Sequence, residues 1–391
     1  MSNCRVVILA DDLTGALDAS APFASRGATT RAVVDLIRLV DLLDNRHEAL
    51  PEVLAVNTES RHLPAEQAAA RVLHTLDLLE PLAPNLWFKK IDSTLRGQVV
   101  AESVAVRRRL GRRLLLAPAV PAQGRTTHHA EVYVHGEPLR HSSFATDARS
   151  RPPTEALDVL FATHGLPLAQ LAPGLKLPTG DCVADAESDR DLQHLATQLL
   201  AAPVDCLAVG AAGLATAIAQ CLYGSPQSSI CLGEYQEVWL VVGSRSPQSR
   251  RQIACLRDTI SDMPVIEAMS DVIGTETHDS ALLIPGGSAE VTWCAEAVAQ
   301  RLAARFVASL PSAPGRRLGF LTGGDTAMAV LQRLAAGVVE VVGEWAPGVV
   351  LVYPKYQPKG WQEWPLLTKA GGFGDDRLLL DLWSAVHPVS K

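Results

Sequence analysis

Two adjacent carboxylates end the first apolar run of the chain: Val6-Val7-Ile8-Leu9-Ala10 stops at Asp11 and Asp12, and Leu13-Thr14-Gly15 follows at once. Acids at the carboxyl end of a strand that feeds a helix sit where open α/β sheets bind ligands. They can orient a hydroxyl, accept its proton or hold a metal; an aspartate there can equally cap the helix by accepting first-turn N–H groups. One cap uses one carboxylate, which leaves the other to spare. A second run, Phe88-Lys89-Lys90-Ile91-Asp92-Ser93-Thr94-Leu95-Arg96-Gly97, is denser still. Cations for a carboxylate, with hydroxyls and an acid for sugar OH groups, suit a polyhydroxylated anion. The competing reading is a surface loop whose ions pair with one another. A third loop, residues 118–129, carries Arg125 with Thr126 and Thr127, a set that can bind an anion. Its neighbours His128 and His129 point apart on regular structure, so they read as exposed loop residues rather than metal ligands.

The second half repeats one plan three times. Val241-Val242-Gly243-Ser244-Arg245-Ser246, Thr322-Gly323-Gly324-Asp325-Thr326 and Lys369-Ala370-Gly371-Gly372-Phe373-Gly374 each follow an apolar run with a glycine-bearing turn. Glycine lets backbone approach a phosphate, and free N–H groups at a helix N-terminus welcome its charge. One such turn is commonplace; three in one half point to a nucleotide. Neither a G-x-x-x-x-G-K-[ST] loop nor a G-x-G-x-x-G fingerprint is present, so neither a Walker-type NTPase nor a usual dinucleotide fold is signalled.

These residues need strand ends and helix starts to hold them. Strands are expected at 5–10, 53–57, 86–90 and 113–117, and helices at 14–26, closed by Gly27, at 64–79 and at 99–110. This βαβ rhythm calls for a mostly parallel sheet covered on both faces. It breaks at 124–153, where 132–139 reads as a hairpin turning near His135-Gly136 and the Ser-, Asp-, Arg- and Pro-rich remainder as loop. Helices follow at 154–164 and 189–200, then a strand at 206–209 and a helix from Leu214. Residues 223–229 are turn-rich and weakly apolar, which makes them the linker. A second alternation has strands at 237–242, 281–284 and 318–321 and helices at 247–258, 289–308 and 326–334. The expectation is two α/β domains, 1–229 and 230–391.

Composition agrees with a two-domain enzyme. A chain of 391 residues exceeds one typical core, and 48% hydrophobic content allows large buried ones. A formal charge of −7 leaves no footprint for nucleic acid, and Arg107-Arg108-Arg109 with Arg112-Arg113 reads as the solvated end of a helix. Seven scattered cysteines without a Cys-x-x-Cys pair fit reduced thiols rather than a disulfide frame or zinc site. No apolar stretch approaches a membrane span and no signal-like leader precedes the first strand, so a cytoplasmic location without membrane partners is expected.

Together these segments resemble the four-carbon acid sugar kinase family, whose members phosphorylate tetronates with ATP. The resemblance spans nearly the whole chain. It is carried by Ala10-Asp11-Asp12-Leu13-Thr14-Gly15-Ala16, Lys90-Ile91-Asp92-Ser93-Thr94-Leu95-Arg96-Gly97, Gly124-Arg125-Thr126-Thr127 with Tyr133-Val134, Gly210-Ala211-Ala212-Gly213-Leu214-Ala215, and the three glycine turns. It implies an N-terminal domain for the acid sugar, a C-terminal domain for ATP, and reaction in the cleft between them. Asp11 or Asp12, Arg61 and the Lys90, Asp92, Ser93 and Thr94 segment are then expected to face the sugar. Ser244, Gly323, Gly324, Asp325, Thr326 and Gly371 or Gly372 are expected to face the nucleotide. Ala370 and Ala211 stand where serine is usual, and Ala130 where glycine is usual.

Under that resemblance the residue types suggest a chemistry. Phosphoryl transfer needs positioning and charge neutralisation more than covalent help. Lys90 and Arg61 are expected to grip the carboxylate, while Asp12 or Asp92 takes the proton of the terminal hydroxyl, with Asp12 preferred and Asp11 not separable from it. Mg²⁺ is expected to bridge the phosphates, with Asp325 as a direct or water-mediated ligand. Two other classes stay open: a sugar-acid-binding sensor without chemistry, and an NAD-dependent dehydrogenase, which should carry the missing dinucleotide fingerprint. The choice among D-threonate, D-erythronate and 3-oxo-tetronates is left open, as is a homo-oligomer.

Overall fold

Short apolar runs fold as strands buried on both faces when helices cover the sheet. The first such runs are β1 (Val6–Ala10), β2 (Thr30–Val33), β3 (Val53–Asn57), β4 (Leu86–Lys90) and β5 (Arg113–Ala117). The computed structural model describes residues 4–45, 49–146, 152–227, 229–270, 278–286, 293–310, 316–355 and 364–387. The chain divides into two units, 1–227 and 228–391.

In the first unit the later strands are β6 (Arg125–His128), β7 (Glu131–Val134), β8 (Glu137–Pro138), β9 (Ala169–Leu171), β10 (Cys182–Ala184) and β11 (Cys206–Gly210). The main sheet runs β2-β3-β1-β4-β11-β5-β10-β9, with parallel pairing throughout. After β1 the chain builds β2 and β3 on one side, then crosses to β4 on the other. The carboxyl ends of β1 and β4 therefore flank a topological switch point, where open α/β sheets leave a crevice for ligands. Helices α1 (Leu13–Ala24), α2 (Leu36–Asp44), α3 (Ala65–Leu79), α4 (Val99–Leu110), α5 (Leu157–Thr163), α6 (Asp189–Leu200) and α7 (Ala212–Tyr223) complete the unit.

Several sequence expectations shift. Helix α1 starts at Leu13 because Asp12 caps it, and it ends before Gly27. The short β2 and helix α2 lie in a stretch that had no assignment, as do β9 and β10. Residues 125–128, expected as loop, form a strand that pairs antiparallel with β7. The turn between β6 and β7 holds His129 at φ 50° and Ala130 at φ 59°, both left-handed. This turn brings the His128 and His129 rings to 4.1 Å, so they do not point apart, although both residues are exposed. The Asp185 carboxylate accepts both turn N–H groups, from His129 at 2.8 Å and Ala130 at 2.9 Å. The expected linker is tied to the first unit as far as Gln227: Arg26 Nε donates to Gly224 O at 2.8 Å, and Gln227 N to Ser25 O at 2.9 Å. Ser228 and the loop residues 147–151 lie outside the described residues. The arginines at the end of α4 are paired rather than merely solvated, Arg107 with Asp181 and Arg109 with Asp77 and Glu80.

In the second unit β12 (Glu237–Val242), β13 (Val265–Glu267), β14 (Ala281–Ile284), β15 (Arg317–Thr322), β16 (Val338–Ala346), β17 (Val349–Lys355) and β18 (Leu366–Lys369) form the order β13-β14-β12-β15-β18-β17-β16. Pairing is parallel from β13 to β18 and antiparallel from β18 through β17 to β16. Among the described residues the helices are α8 (Pro247–Thr259), α9 (Ala295–Ala308), α10 (Gly324–Arg333) and α11 (Leu378–Val386). Residues 289–292, expected to begin α9, lie outside the described residues. From β12 the chain goes to β13 and β14 on one side and to β15 and β18 on the other, so a second switch point falls between the ends of β12 and β15. A core of Val238, Leu240, Val242, Leu256, Phe320, Leu367 and Leu379 fixes these strands.

Candidate active site

The acid-rich site of the first unit is assembled at the ends of β3, β1 and β4. Register places Ala10 opposite both Asn57 and Lys90, so the segments after these residues emerge side by side. The turn after β3 is stitched to β1: Thr58 N donates to Ala10 O at 2.8 Å, and Ser60 N and Arg61 N donate to Asp11 O at 3.0 and 3.2 Å. This anchoring swings Arg61 over the aspartates. Its Nε donates to Asp11 Oδ2 at 2.9 Å and Nη2 to Asp11 Oδ1 at 2.8 Å, Nη1 donates to Asp12 Oδ2, and Nη2 lies 4.0 Å from Asp92 Oδ1.

Asp12 serves as the cap as well. It accepts Gly15 N at 2.8 Å and the Thr14 hydroxyl at 2.7 Å. A β-carbon on Gly15 would stand 2.6 Å from Asp12 Oδ1 and 3.4 Å from Lys90 Nζ, so the glycine leaves room for the charges. Asp92 is gripped by Arg96, Nε to Oδ2 at 3.0 Å and Nη2 to Oδ1 at 2.8 Å, and by the backbone N–H and hydroxyl of Thr94. Burial alone would raise the Asp11 and Asp92 carboxyls. For Asp11 the Arg61 guanidinium, with Lys89 and Lys90, outweighs burial and holds the carboxyl below its usual range; for Asp92, Arg96 and then Arg61 hold it well below. Ser93 is buried beside them, and Arg125 lies buried on β6 with Nη1 on Gln123 O and Oε1, both at 3.0 Å.

The two lysines of β4 have different fates. Lys89 is neutralised within the fold by Glu102 of α4 at 2.7 Å, with both side chains 1% exposed, whereas Lys90 Nζ donates to Ile91 O at 3.1 Å and stands 4.0 Å from Asp18 Oδ2. The sequence does not single out Asp18, and it offers Arg96 only as one member of the charged run 88–97. The available signal for Asp18 is a lone charge in a helical stretch, Leu13–Ala24, whose other residues are apolar or small.

In the second unit β12, β15 and β18 are adjacent, and their three glycine turns meet. Gly243 N donates to Thr322 O at 3.2 Å and Gly323 N to Lys369 O at 2.9 Å. The Ser246 and Ser249 hydroxyls donate to Gly371 O at 2.7 and 3.0 Å, and Ser244 Oγ accepts Ser246 N at 3.3 Å. Gly323 caps α10 at φ 104°, a conformation L side chains rarely adopt; Gly324 beside it is not left-handed. Asp325 is exposed in the first turn of α10, and Thr326 is buried. Beneath the last turn Lys369 is buried, and its Nζ donates to Ala370 O, Gly371 O and Phe373 O at 3.2, 3.3 and 2.9 Å. The anion-binding feature here is the N-terminus of α10, whose cap residue Gly323 offers no side chain to its first-turn N–H groups.

Among the described residues no group of three or more His, Cys, Asp or Glu side chains could hold a metal ion. An ion carried in on phosphates needs only one or two protein carboxylates, and Asp325 at the head of α10 fits that demand. No helix of the described residues is long and apolar enough to cross a membrane.

Comparison with known proteins agrees with this division. Residues 6–218 match the family of the sugar-binding N-terminal domain and residues 267–379 that of the nucleotide-binding C-terminal domain. The chain is similar to a D-threonate kinase of Cupriavidus necator, 32% identical with 97% of each chain covered. The chain belongs to the four-carbon acid sugar kinase family. It is accordingly a kinase. Its relatives in the family include a D-threonate kinase of Bordetella bronchiseptica, 31% identical over 99% of this chain and 98% of the other, and a D-erythronate kinase of Heliobacterium modesticaldum, 28% identical over the whole of both. A solved structure from Bordetella bronchiseptica, a domain-swapped dimer with bound citrate, is 30% identical with a TM-score of 0.51 and 98% coverage of each chain. A Haemophilus influenzae protein shares the fold, with a TM-score of 0.70 at 17% identity, covering 97% of this chain and 100% of that one.

Proposed function

We propose that the chain transfers the γ-phosphoryl group of ATP to the terminal hydroxyl of a four-carbon sugar acid, D-threonate, D-erythronate or a 3-oxo-tetronate, giving the 4-phosphate. The observation that carries this reading is the pair of switch points, one furnished with carboxylates and cations, the other with three interlocked glycine turns at a helix N-terminus. Arg61, Lys90 and Arg125 supply the positive charge that a sugar acid needs, and Asp11, Asp12, Asp92, Ser93 and Thr94 supply acceptors and hydroxyls for its OH groups. Ser244, Gly323, Gly324, Asp325, Thr326, Gly371 and Gly372 hold the nucleotide phosphates. Mg²⁺, with Asp325 as its protein ligand, supplies neutralisation of phosphate charge. The relatives named as tetronate kinases support the substrate class, and the citrate bound by the Bordetella protein is a related hydroxy acid. A cytoplasmic location follows from the need for ATP, and a homo-oligomer is the assembly reading, in line with the dimer of that protein.

The test is ADP release by the purified chain with ATP and Mg²⁺ against a panel of tetronates and related sugar acids. Turnover is expected on at least one tetronate, with phosphate found on its terminal oxygen. Folded protein that turns over none of them overturns the reading.

A further inference from the structure

Four aspartates gather at the switch point of the first unit, and in three of them both carboxylate oxygens accept hydrogen bonds. Asp11 is bidentate with Arg61; Asp12 is shared by Arg61, Thr14 and the α1 backbone; Asp92 is bidentate with Arg96 and bonded by Thr94. Asp18 differs. It lies on α1 one turn beyond Thr14, with Oδ1 buried and without a hydrogen-bond partner, Oδ2 4.0 Å from Lys90 Nζ, and 13% of the side chain exposed.

We propose that Asp18 is the group that takes the proton from the attacking hydroxyl of the sugar acid. This assignment rests on the kinase reading above and names a residue for a step that the sequence assigns to Asp12 or Asp92. In the step, a lone pair of the terminal hydroxyl oxygen forms the bond to the γ-phosphorus of ATP. The bond from that phosphorus to the β–γ bridging oxygen breaks, its electron pair leaving with ADP, and the hydroxyl proton passes to an Asp18 oxygen. Lys90, which faces the Asp18 anion beforehand, loses that counter-charge when the proton arrives.

The geometry favours Asp18 over its neighbours for a physical reason. A carboxylate whose lone pairs are held by a guanidinium is a weak base, and a general base works best when its pKa approaches the working pH. Burial pushes the Asp18 carboxyl above the ordinary range, against Lys90 and Arg125 and with help from Asp12 and Asp92. Those four are the charged groups that act on it from β4, β6, the α1 cap and the turn after β4. Because the folded state favours the protonated form, the contribution of Asp18 to stability is lost as pH rises through its folded value, so the anion, once formed, is a cost to the fold.

The experiment compares wild type with Asp18→Asn in steady-state kinetics from about pH 5 to 9, with thermal melting alongside. The expected result is a fall in kcat of about 10²-fold or more, an unchanged KM for ATP, loss of the acid limb of the wild-type pH–kcat profile, and a melting temperature equal to or above wild type. Retention of kcat within about threefold overturns the assignment. So does a rise confined to the KM for the sugar acid, which would make Asp18 a holder of Lys90, and so does a lowered melting temperature with general loss of activity, which would make it structural. Wild-type protein inactive on every sugar acid overturns the kinase reading and the assignment together, so the two failures are distinguishable.

Discussion

The Arg61 guanidinium meets the Asp11 carboxylate in a bidentate pair, with hydrogen bonds of 2.8 and 2.9 Å across a sequence separation of 50 residues. Lysine cannot reproduce this fork and also reach Asp12. Arg61→Lys should leave buried carboxylates short of donors, with a stability loss approaching the about 3–5 kcal/mol typical of broken buried pairs. Asp11 and Asp92 sit below their unfolded values, so the stability they contribute is present above the ordinary aspartate pKa and is lost as pH falls through their folded values. Urea titrations from pH 7 down to about 3 should therefore show a shallower acid-side loss in Arg61→Lys than in wild type.

Gly323 offers a way to separate the two ligands. A valine there would have to hold φ near 104°, closed to a β-branched residue, at the mouth of α10. Calorimetry on a folded Gly323→Val variant should show ATP binding weakened at least tenfold, about 1.4 kcal/mol, and sugar-acid binding close to wild type. Equal loss of both ligands would count against separate sites.

Lys369 should make nucleotide use sensitive to pH near neutrality. Burial pushes its ammonium from 10.5 down to about 7. The protonated form has three N–H donors for three carbonyls, and the neutral amine has two, so the last glycine turn loses a brace as pH rises. The KM for ATP should climb between about pH 6 and 8 while that for the sugar acid stays level, and Lys369→Met should abolish the difference. For stability the sign is opposite. The unfolded chain binds the extra proton between about 7 and 10.5, so the contribution of this residue grows as pH rises across that window and is lost as pH falls back through 7.

Ala211 caps α7 with extended backbone, φ −93° and ψ −170°, and no side-chain hydrogen bond. Serine at this position has the backbone conformation it needs to accept a first-turn N–H. Ala211→Ser should stabilise the protein by about 1 kcal/mol, seen as a higher melting temperature in a two-scan comparison with wild type. No gain would mean that the orphan N–H groups of α7 are already satisfied.

Long apolar runs bounded by turn residues revealed their structure most directly: Leu86–Lys90, Val99–Leu110 and Glu237–Val242 appear where the sequence places them. Thr30–Val33 did not, because four residues interrupted by Arg31 and followed closely by an amphipathic helix carry too little periodicity. The antiparallel ribbon of Val338–Ala346 and Val349–Lys355 is not marked by the strand–helix alternation that precedes it. At the site, residue types were legible and partnerships were not. Nothing local tells Arg61 to choose Asp11, or Arg96 to close on Asp92, and a single acid within α1 gave no hint that it would be left without a hydrogen-bond partner on one oxygen.

The turn at His129 and Ala130 carries a consequence for the order of folding. Two successive left-handed residues other than glycine each cost about 1–2 kcal/mol, so the β6–β7 hairpin has little reason to close by itself. The carboxylate that accepts both turn N–H groups belongs to Asp185, more than fifty positions away, directly after β10. The hairpin should therefore form late, once the far edge of the sheet is in place. Substitutions at Val132, buried in β7, should accelerate unfolding and leave the folding rate nearly unchanged; a matching slowdown of folding would place the hairpin in the nucleus instead.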